Sequence, residues 1–144
     1  MTRMLLTAAL TCLTAAPLWA GEHGKTRSDY ILHCSGCHTL TGEGTVNGGI
    51  PAFPDSIQHI AGLENGRTYM VHVPGVISND MSDAEIAAVL NYILDQWGEG
   101  EGHFSADEVT ARRAQEIGDV VVYRRRVVEE LRADGVELAE YPWP

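Results

Sequence analysis

The sequence lacks most of the residue patterns that mark a catalytic or nucleotide-binding site. Apart from one C-x-x-C it has no second C-x-x-C and no H-x-x-x-H, so a zinc site would lack its other pair of ligands. It has no phosphate-binding glycine loop, no assignable Ser-His-Asp set and no assignable carboxylate pair. Internal repeats and low-complexity segments are also absent. These absences argue against a zinc enzyme, a nucleotide-dependent enzyme and a hydrolase.

Positive charge is scarce as well. The 144 residues carry ten Lys and Arg against twenty Asp and Glu, a formal net charge of −10. Nucleic acid and anionic lipid are therefore poor partners. Two interpretations remain open: the acidity keeps the protein soluble, or it favours a partner with a basic docking patch.

No apolar run is long enough to span a bilayer comfortably. Arg3 followed by the apolar residues 4–16 resembles the start of a secretory signal peptide, with a cut after Ala20, although Leu18 is larger than the residue usual at that place. We predict a signal peptide at residues 1–20, a mature chain beginning near Gly21, and export to the bacterial periplasm. Loss of Arg3 makes the mature charge one unit more negative.

The pentapeptide at residues 34–38, CSGCH, is the most informative feature that is present. C-x-x-C-H is the attachment sequence of a c-type haem: Cys34 and Cys37 bond to the haem vinyl groups and His38 becomes the proximal iron ligand. A thioredoxin-like pair would need a βαβ context, which the surrounding residues do not offer. Cys12 would leave with the signal peptide, so one covalent haem c accounts for both remaining cysteines.

Hydrophobic periodicity and capping signals predict helices. Residues 26–38 can form one helix, and the glycine- and proline-rich residues 41–54 predict a loop along one haem edge. Ser82 and Glu85 form a capping box that opens a helix with apolar residues at helical spacing up to residue 97. Residues 98–102 predict a flexible linker. A second capping box, Ser105 and Glu108, opens a helical tail with arginine clusters at 112–113 and 124–126.

Residues 24–97 together resemble the monohaem class I cytochromes c. The likeness rests on CSGCH, the G-E-G of the loop, the Ile50-Pro51 pair and the final helix at residues 81–93. It implies an all-α cytochrome c-like domain at residues 21–98 whose terminal helices cross beside the haem, with residues 99–144 as an additional linker and helical extension. It also implies that the carbonyl oxygen of Pro51 accepts the Nδ1 hydrogen of His38. Pro51 alternatively only shapes the turn.

The chain departs from the family at the sixth iron ligand, because it contains no Met-Pro. Three residues are candidates. Met70 is either a ligand or a core residue of an extended segment at 67–73. His72 is either a ligand or a surface or propionate-facing histidine, and Met81 is either a ligand or the packing residue of a hydrophobic staple with Ile86.

The arginines and the tail have alternative interpretations too. Arg67 either pairs with a haem propionate or is an ordinary surface residue. The two arginine clusters of the tail either lie on solvated helix faces and pair with nearby Glu residues, or dock to an acidic partner. We expect the helical tail to pack on its own haem domain as an outer brace.

The resulting functional prediction is a periplasmic electron-transport protein and not an enzyme. A covalent haem would carry single electrons between a dehydrogenase and a downstream acceptor, through redox protein partners. Two alternatives stay open: a haem enzyme or gas-binding protein with an open distal site, similar to a small peroxidase, and a cytochrome subunit of an amine or alcohol dehydrogenase.

Overall fold

The computed structural model describes residues 19–100 and 102–138, and the described chain is helical apart from one isolated bridge between Thr45 and Ile50. This confirms the all-α prediction. Most of the predicted signal peptide, residues 1–18, lies outside the described residues. No described helix is long and apolar enough to cross a membrane. The helices are α1 (Trp19–His33), α2 (Ser35–His38), α3 (Ile57–Ala61), α4 (Glu64–His72), α5 (Pro74–Ile77), α6 (Asp83–Trp97), α7 (Ala106–Arg113) and α8 (Val120–Ala133).

The expected contact between the first and last helices of the domain is present, because α1 packs on α6. Tyr30 of α1 takes part in this contact. The centre of its ring lies 5.6 Å from that of Tyr92 and 5.3 Å from that of Trp97, both in α6. Its hydroxyl donates to the backbone oxygen of Thr39 at 2.6 Å. Burial raises the pKa of Tyr30 to about 12, so this donor keeps its proton at physiological pH.

Two of the predicted local structures need correction. Residues 26–38 do not form one regular helix, because Cys34 separates α1 from α2 with φ −121° and ψ −40°. Residues 67–73 are not extended, because all but the last belong to α4. The β-branched residues there predict a strand locally, but burial against the rest of the core decides the outcome: Met70 is buried and Val71 has no exposed surface.

The capping box of α6 is confirmed. The Ser82 hydroxyl accepts from the Glu85 amide, and the Glu85 carboxylate accepts from the Ser82 amide at 3.0 Å. Glu85 also receives a hydrogen bond from Lys25 of α1 at 2.9 Å. Lys25 and the Ser82 donors hold the pKa of the Glu85 carboxyl at about 2. The N-terminus of α6 is thereby tied to α1 at the surface.

The C-terminal helices pack on the haem domain, as expected for a brace. α7 contacts α6 and α4, and α8 contacts α4 and α3. Val109, Val127 and Leu131 belong to the same buried cluster as the core of the first domain. The segment predicted as a flexible linker is a compact turn where it is described: the amides of Gly98 and Gly100 donate to the oxygen of Leu94 at 2.7 and 3.1 Å.

A charged cluster joins α4 to α7. Arg67 donates to both carboxylate oxygens of Glu108 at 2.6 and 2.7 Å, and Arg112 donates to Glu108 at 2.7 Å. Arg112 also reaches the Glu64 carboxylate at 2.8 Å. Both arginines are buried, so Arg112 pairs with nearby glutamates as one interpretation expected, but it does not lie on a solvated helix face. This cluster holds the pKa of the Glu108 carboxyl at about 2, with Arg67 the largest contributor.

Only one of the two hydrogen bonds of the second predicted capping box is present, because the Glu108 carboxylate belongs to this charged cluster. The Glu108 amide donates to the Ser105 hydroxyl at 3.1 Å. The Glu108 carboxylate turns instead to the two arginines, because two buried guanidinium groups offer stronger donors than one backbone amide.

We predict that Glu108→Gln destabilises the holoprotein by about 3 kcal/mol at pH 7, because two buried guanidinium groups lose their shared carboxylate. The pKa of Glu108 lies below its ordinary value of 4.5 in the folded protein, at about 2. Its stabilisation is therefore complete above about pH 5 and disappears as the pH falls towards 2. Urea unfolding of wild type and variant at several pH values measures this.

The control is Glu137→Gln, which removes a carboxylate from an exposed pair with Arg132. It should change the free energy of unfolding by less than about 0.5 kcal/mol. A difference between wild type and Glu108→Gln that stays constant from pH 7 to pH 2 would contradict the assignment.

Candidate haem site

One cavity of about 330 Å³ lies between the residue 41–54 loop and helices α3 to α6 and α8. A volume of this size is in the range of small-molecule and cofactor sites. Cys34, Cys37 and His38 all line it. Most of the other lining residues are apolar or aromatic. They include Ile57, Ile60, Tyr69, Met70, Leu90 and Ile93.

His38 is held as a neutral imidazole with a defined tautomer. Its Nδ1 lies 3.1 Å from the carbonyl oxygen of Pro51, and a carbonyl can only accept, so Nδ1 carries the hydrogen. Burial lowers the pKa of His38 to about 4. The Phe53 ring stacks on the imidazole at a centroid distance of 4.0 Å. The lone pair is therefore on Nε2, the atom required for metal ligation.

The two cysteines mark the edge of the cavity that reaches solvent. Cys34 is half-buried and Cys37 is exposed, and neither forms a disulfide. Burial raises the pKa of the Cys34 thiol to about 11, with the neighbouring Cys37 as the smaller cause. Both sulfurs lie beside an apolar cavity with an imidazole at its wall, which is the arrangement that the C-x-x-C-H motif predicts.

The tight loop around residues 44–51 places the carbonyl oxygen of Pro51 beside Nδ1 of His38. The loop closes through paired hydrogen bonds between Thr45 and Ile50, at 2.9 and 3.0 Å. Gly44 has a φ of +65°, and a Cβ there would overlap the carbonyl oxygens of Ile50 and Pro51. Glycine is required at this position both for the backbone angle and for the close approach.

The three candidate sixth ligands have different surroundings. Met70 is buried in α4 and lines the cavity. His72 does not line it; its Nδ1 and Nε2 lie 2.8 and 2.9 Å from the carbonyl oxygens of Thr68 and Gln115. Met81 and Ile86 line a smaller void of about 20 Å³, which shares Cys34, Val76, Leu90 and Ile93 with the cavity. Of the described residues, the cavity wall includes Met70 but neither of the other two candidates.

The structure does not favour Arg67 as a propionate partner. Arg67 lies outside the set of described residues that line the cavity, and its guanidinium is 3.9 Å from the centre of the Phe104 ring. Its donors are used by Glu108 and by the backbone oxygens of Gly102 and His103. Arg67 is therefore bound to the C-terminal extension by an ion pair with Glu108 and a cation–π contact with Phe104.

Arg124 lines the cavity, which the sequence interpretation missed. A signal was available: residues 120, 124, 127 and 131 follow one helical stripe, and Val120, Val127 and Leu131 are apolar. An arginine within that stripe indicates a side chain that faces the domain and not the solvent. Arg124 is accordingly buried, whereas Arg125 and Arg126 are exposed.

Two curated relatives resemble the chain. Cytochrome c-552 of Thermus thermophilus is 33% identical over 107 aligned positions, which cover 58% of this chain and 81% of the relative. A second cytochrome c-552, from a named strain of the same organism, is 33% identical over 107 positions, with 72% of its length covered. The chain belongs to the monohaem class I c-type cytochromes. No protein-family model and no solved structure matches the chain.

One covalent haem c is the cofactor of this cytochrome, and the residues present fit it. Cys34 and Cys37 line the cavity and would form the two thioether bonds, His38 would offer the iron a neutral imidazole, and most of the other lining residues are apolar. Within the described residues no group of three or more His, Cys, Asp or Glu side chains is arranged for a bare metal ion. When bound, haem supplies an iron that gains and loses one electron. The cytochrome is an electron-transfer protein.

We predict that Gly44→Ala weakens the His38–Pro51 hydrogen bond, because a Cβ displaces the Pro51 carbonyl. The strain of a non-glycine residue at this angle should cost about 1–3 kcal/mol of stability. The direct measurement is the exchange rate of the His38 Nδ1 hydrogen by proton NMR of the holoprotein, which should increase, together with thermal unfolding.

Gly36→Ala is the matched control, since a Cβ at Gly36 meets no atom within 4 Å. It lies between the same two cysteines and should leave the exchange rate unchanged. Equal exchange rates in Gly44→Ala and wild type would show that the loop does not hold Pro51 in place.

Proposed function

We propose that this cytochrome is an exported carrier of single electrons in which His38 and Met70 are the two axial iron ligands. The observation that carries the proposal is the position of Met70, buried in α4 and in the wall of the same cavity as His38. His72 is hydrogen-bonded outside the cavity, and Met81 lines the smaller neighbouring void. Of the three candidates, we therefore assign Met70, which lines the cavity itself.

The chemistry of a thioether ligand agrees with electron transfer. Met/His ligation raises the reduction potential relative to bis-His ligation and leaves no open position for peroxide or a diatomic gas. The apolar side chains of Ile57, Ile60 and Leu90 in the wall offer no hydrogen bonds to water. The hydrogen bond from Nδ1 of His38 to Pro51 already orients Nε2. The imidazole therefore does not have to turn when the iron gains or loses an electron.

The exposed surface beside the motif suits brief contact with redox proteins. Cys37 is exposed, and Leu32 and Leu40, which flank the motif in sequence, have 75% and 65% of their surface exposed. These two are among the few exposed large apolar residues in the described chain. An apolar contact there, within a strongly acidic protein, fits a partner with a basic rim.

We include in the proposal that the donor is a periplasmic dehydrogenase and that the acceptor is a downstream oxidase or cytochrome. The signal-like residues 1–20 support export. Electron transfer from a purified dehydrogenase of this type should slow as ionic strength rises. A rate that does not change with salt would contradict docking through opposite charges.

The ligand assignment is tested with Met70→Leu, which keeps the packing volume but removes the sulfur. We expect the near-infrared Met-to-iron charge-transfer band of the ferric protein to disappear and the potential to fall. Met81→Leu is the matched control and should keep both. His72→Ala should also keep the band.

An alternative outcome would identify a different function. A wild-type ferric protein that is high-spin, and that binds carbon monoxide at once when reduced, has an open distal position. That result would contradict the carrier proposal and favour a haem enzyme or gas-binding protein.

A further inference from the structure

The C-terminal helix α8 forms part of the cavity wall. Val120, Val121 and Arg124 of α8 all line the cavity. Residues 120 and 124 are one turn apart and so lie on the same helix face. The extension is therefore more than an outer brace, because one of its faces completes the site that holds the cofactor.

Arg124 places a permanent positive charge at this apolar site. Among the described lining residues there is no Asp, Glu or Lys, and Arg124 is the one arginine. It is 8% exposed. A guanidinium in the wall of an apolar cavity is a strong, geometrically matched donor for a carboxylate that enters that cavity. Haem brings two carboxylates, its propionates, into this cavity.

The position of α8 suits the propionate edge. The thioether bonds fix the vinyl edge of the porphyrin at Cys34 and Cys37, and the propionates lie on the opposite edge of the ring. The segment with the two cysteines packs on α1, whereas α8 packs on α3 and α4. Arg124 thus enters the cavity wall from a different part of the domain than the cysteines do.

We propose that Arg124 binds a haem propionate and thereby raises the reduction potential. A guanidinium has five N–H donors, so it can bind a propionate in addition to its contacts within the protein. Its charge offsets that of the propionate and favours the iron state with the extra electron. Arg67, held by Glu108, cannot serve this role without leaving that carboxylate.

The inference rests on the haem site of the proposed function but not on the identity of the sixth ligand. In the holoprotein, Arg124→Gln removes the charge and keeps a polar side chain of similar reach. We expect the reduction equilibrium constant to fall about tenfold, which is about 59 mV for one electron. The propionate bending mode in the resonance Raman spectrum should shift as well.

The matched control is Arg126→Gln, which removes the same charge from an exposed position of the same helix. It should change the equilibrium constant less than twofold and leave the propionate mode in place. Arg124→Lys keeps the charge, so it should recover most of the potential while the propionate mode still shifts, because a lysine cannot make the planar two-point contact.

Several results would overturn the proposal. Equal shifts in Arg124→Gln and Arg126→Gln would show a general charge effect, and an unchanged potential and propionate mode in Arg124→Gln would show no contact. If Arg124→Gln yields no folded holoprotein, an unchanged propionate mode in Arg124→Lys decides against the contact. A charge-transfer band retained in Arg124→Gln and lost in Met70→Leu separates this question from that of the axial ligand.

Discussion

The hydrogen bond from His38 to the carbonyl of Pro51 is the constraint on which the rest of the site depends. It sets the tautomer of the imidazole, and burial beside Phe53 keeps the ring neutral. The loop that brings Pro51 into place needs Gly44 at a positive φ and Gly42 against the indole of Trp97. Through Trp97 the same loop packs on α6, so the crossing of α1 and α6 and the position of the His38 ring are parts of one packing arrangement.

Buried arginines occur in two parts of the protein, at the contact between α4 and α7 and at the cavity wall. Arg67 and Arg112 share the carboxylate of Glu108 between α4 and α7, so the tail supplies the counterion that two buried guanidinium groups need. At the cavity, α8 instead contributes Arg124 to the wall, where its guanidinium can bind a propionate of the cofactor in addition to its contacts within the protein.

Local sequence signals predicted the local features well. The C-x-x-C-H motif needs five consecutive residues, and the capping box of Ser82 and Glu85 needs four, so neighbouring residues determine both. The apolar spacing of α6 likewise predicts which side chains are buried. The failures involve long-range contacts. The Glu108 carboxylate binds Arg67, which is distant in sequence, as well as Arg112 one turn along α7, instead of completing the capping box. The segment with Met70 is helical because the core around it requires a buried helix face.

The sequence by itself determined the helical class and the C-x-x-C-H motif, from which we predict the haem attachment site and the proximal ligand, because each depends on residues that are close together in the chain. Tertiary structure alone decided that Met70 and not His72 or Met81 lines the cavity, that Arg67 turns to the tail, and that Arg124 turns to the cofactor site. The physical reason is that burial and charge pairing are set by whichever elements pack together. A residue's neighbours in sequence do not specify those contacts.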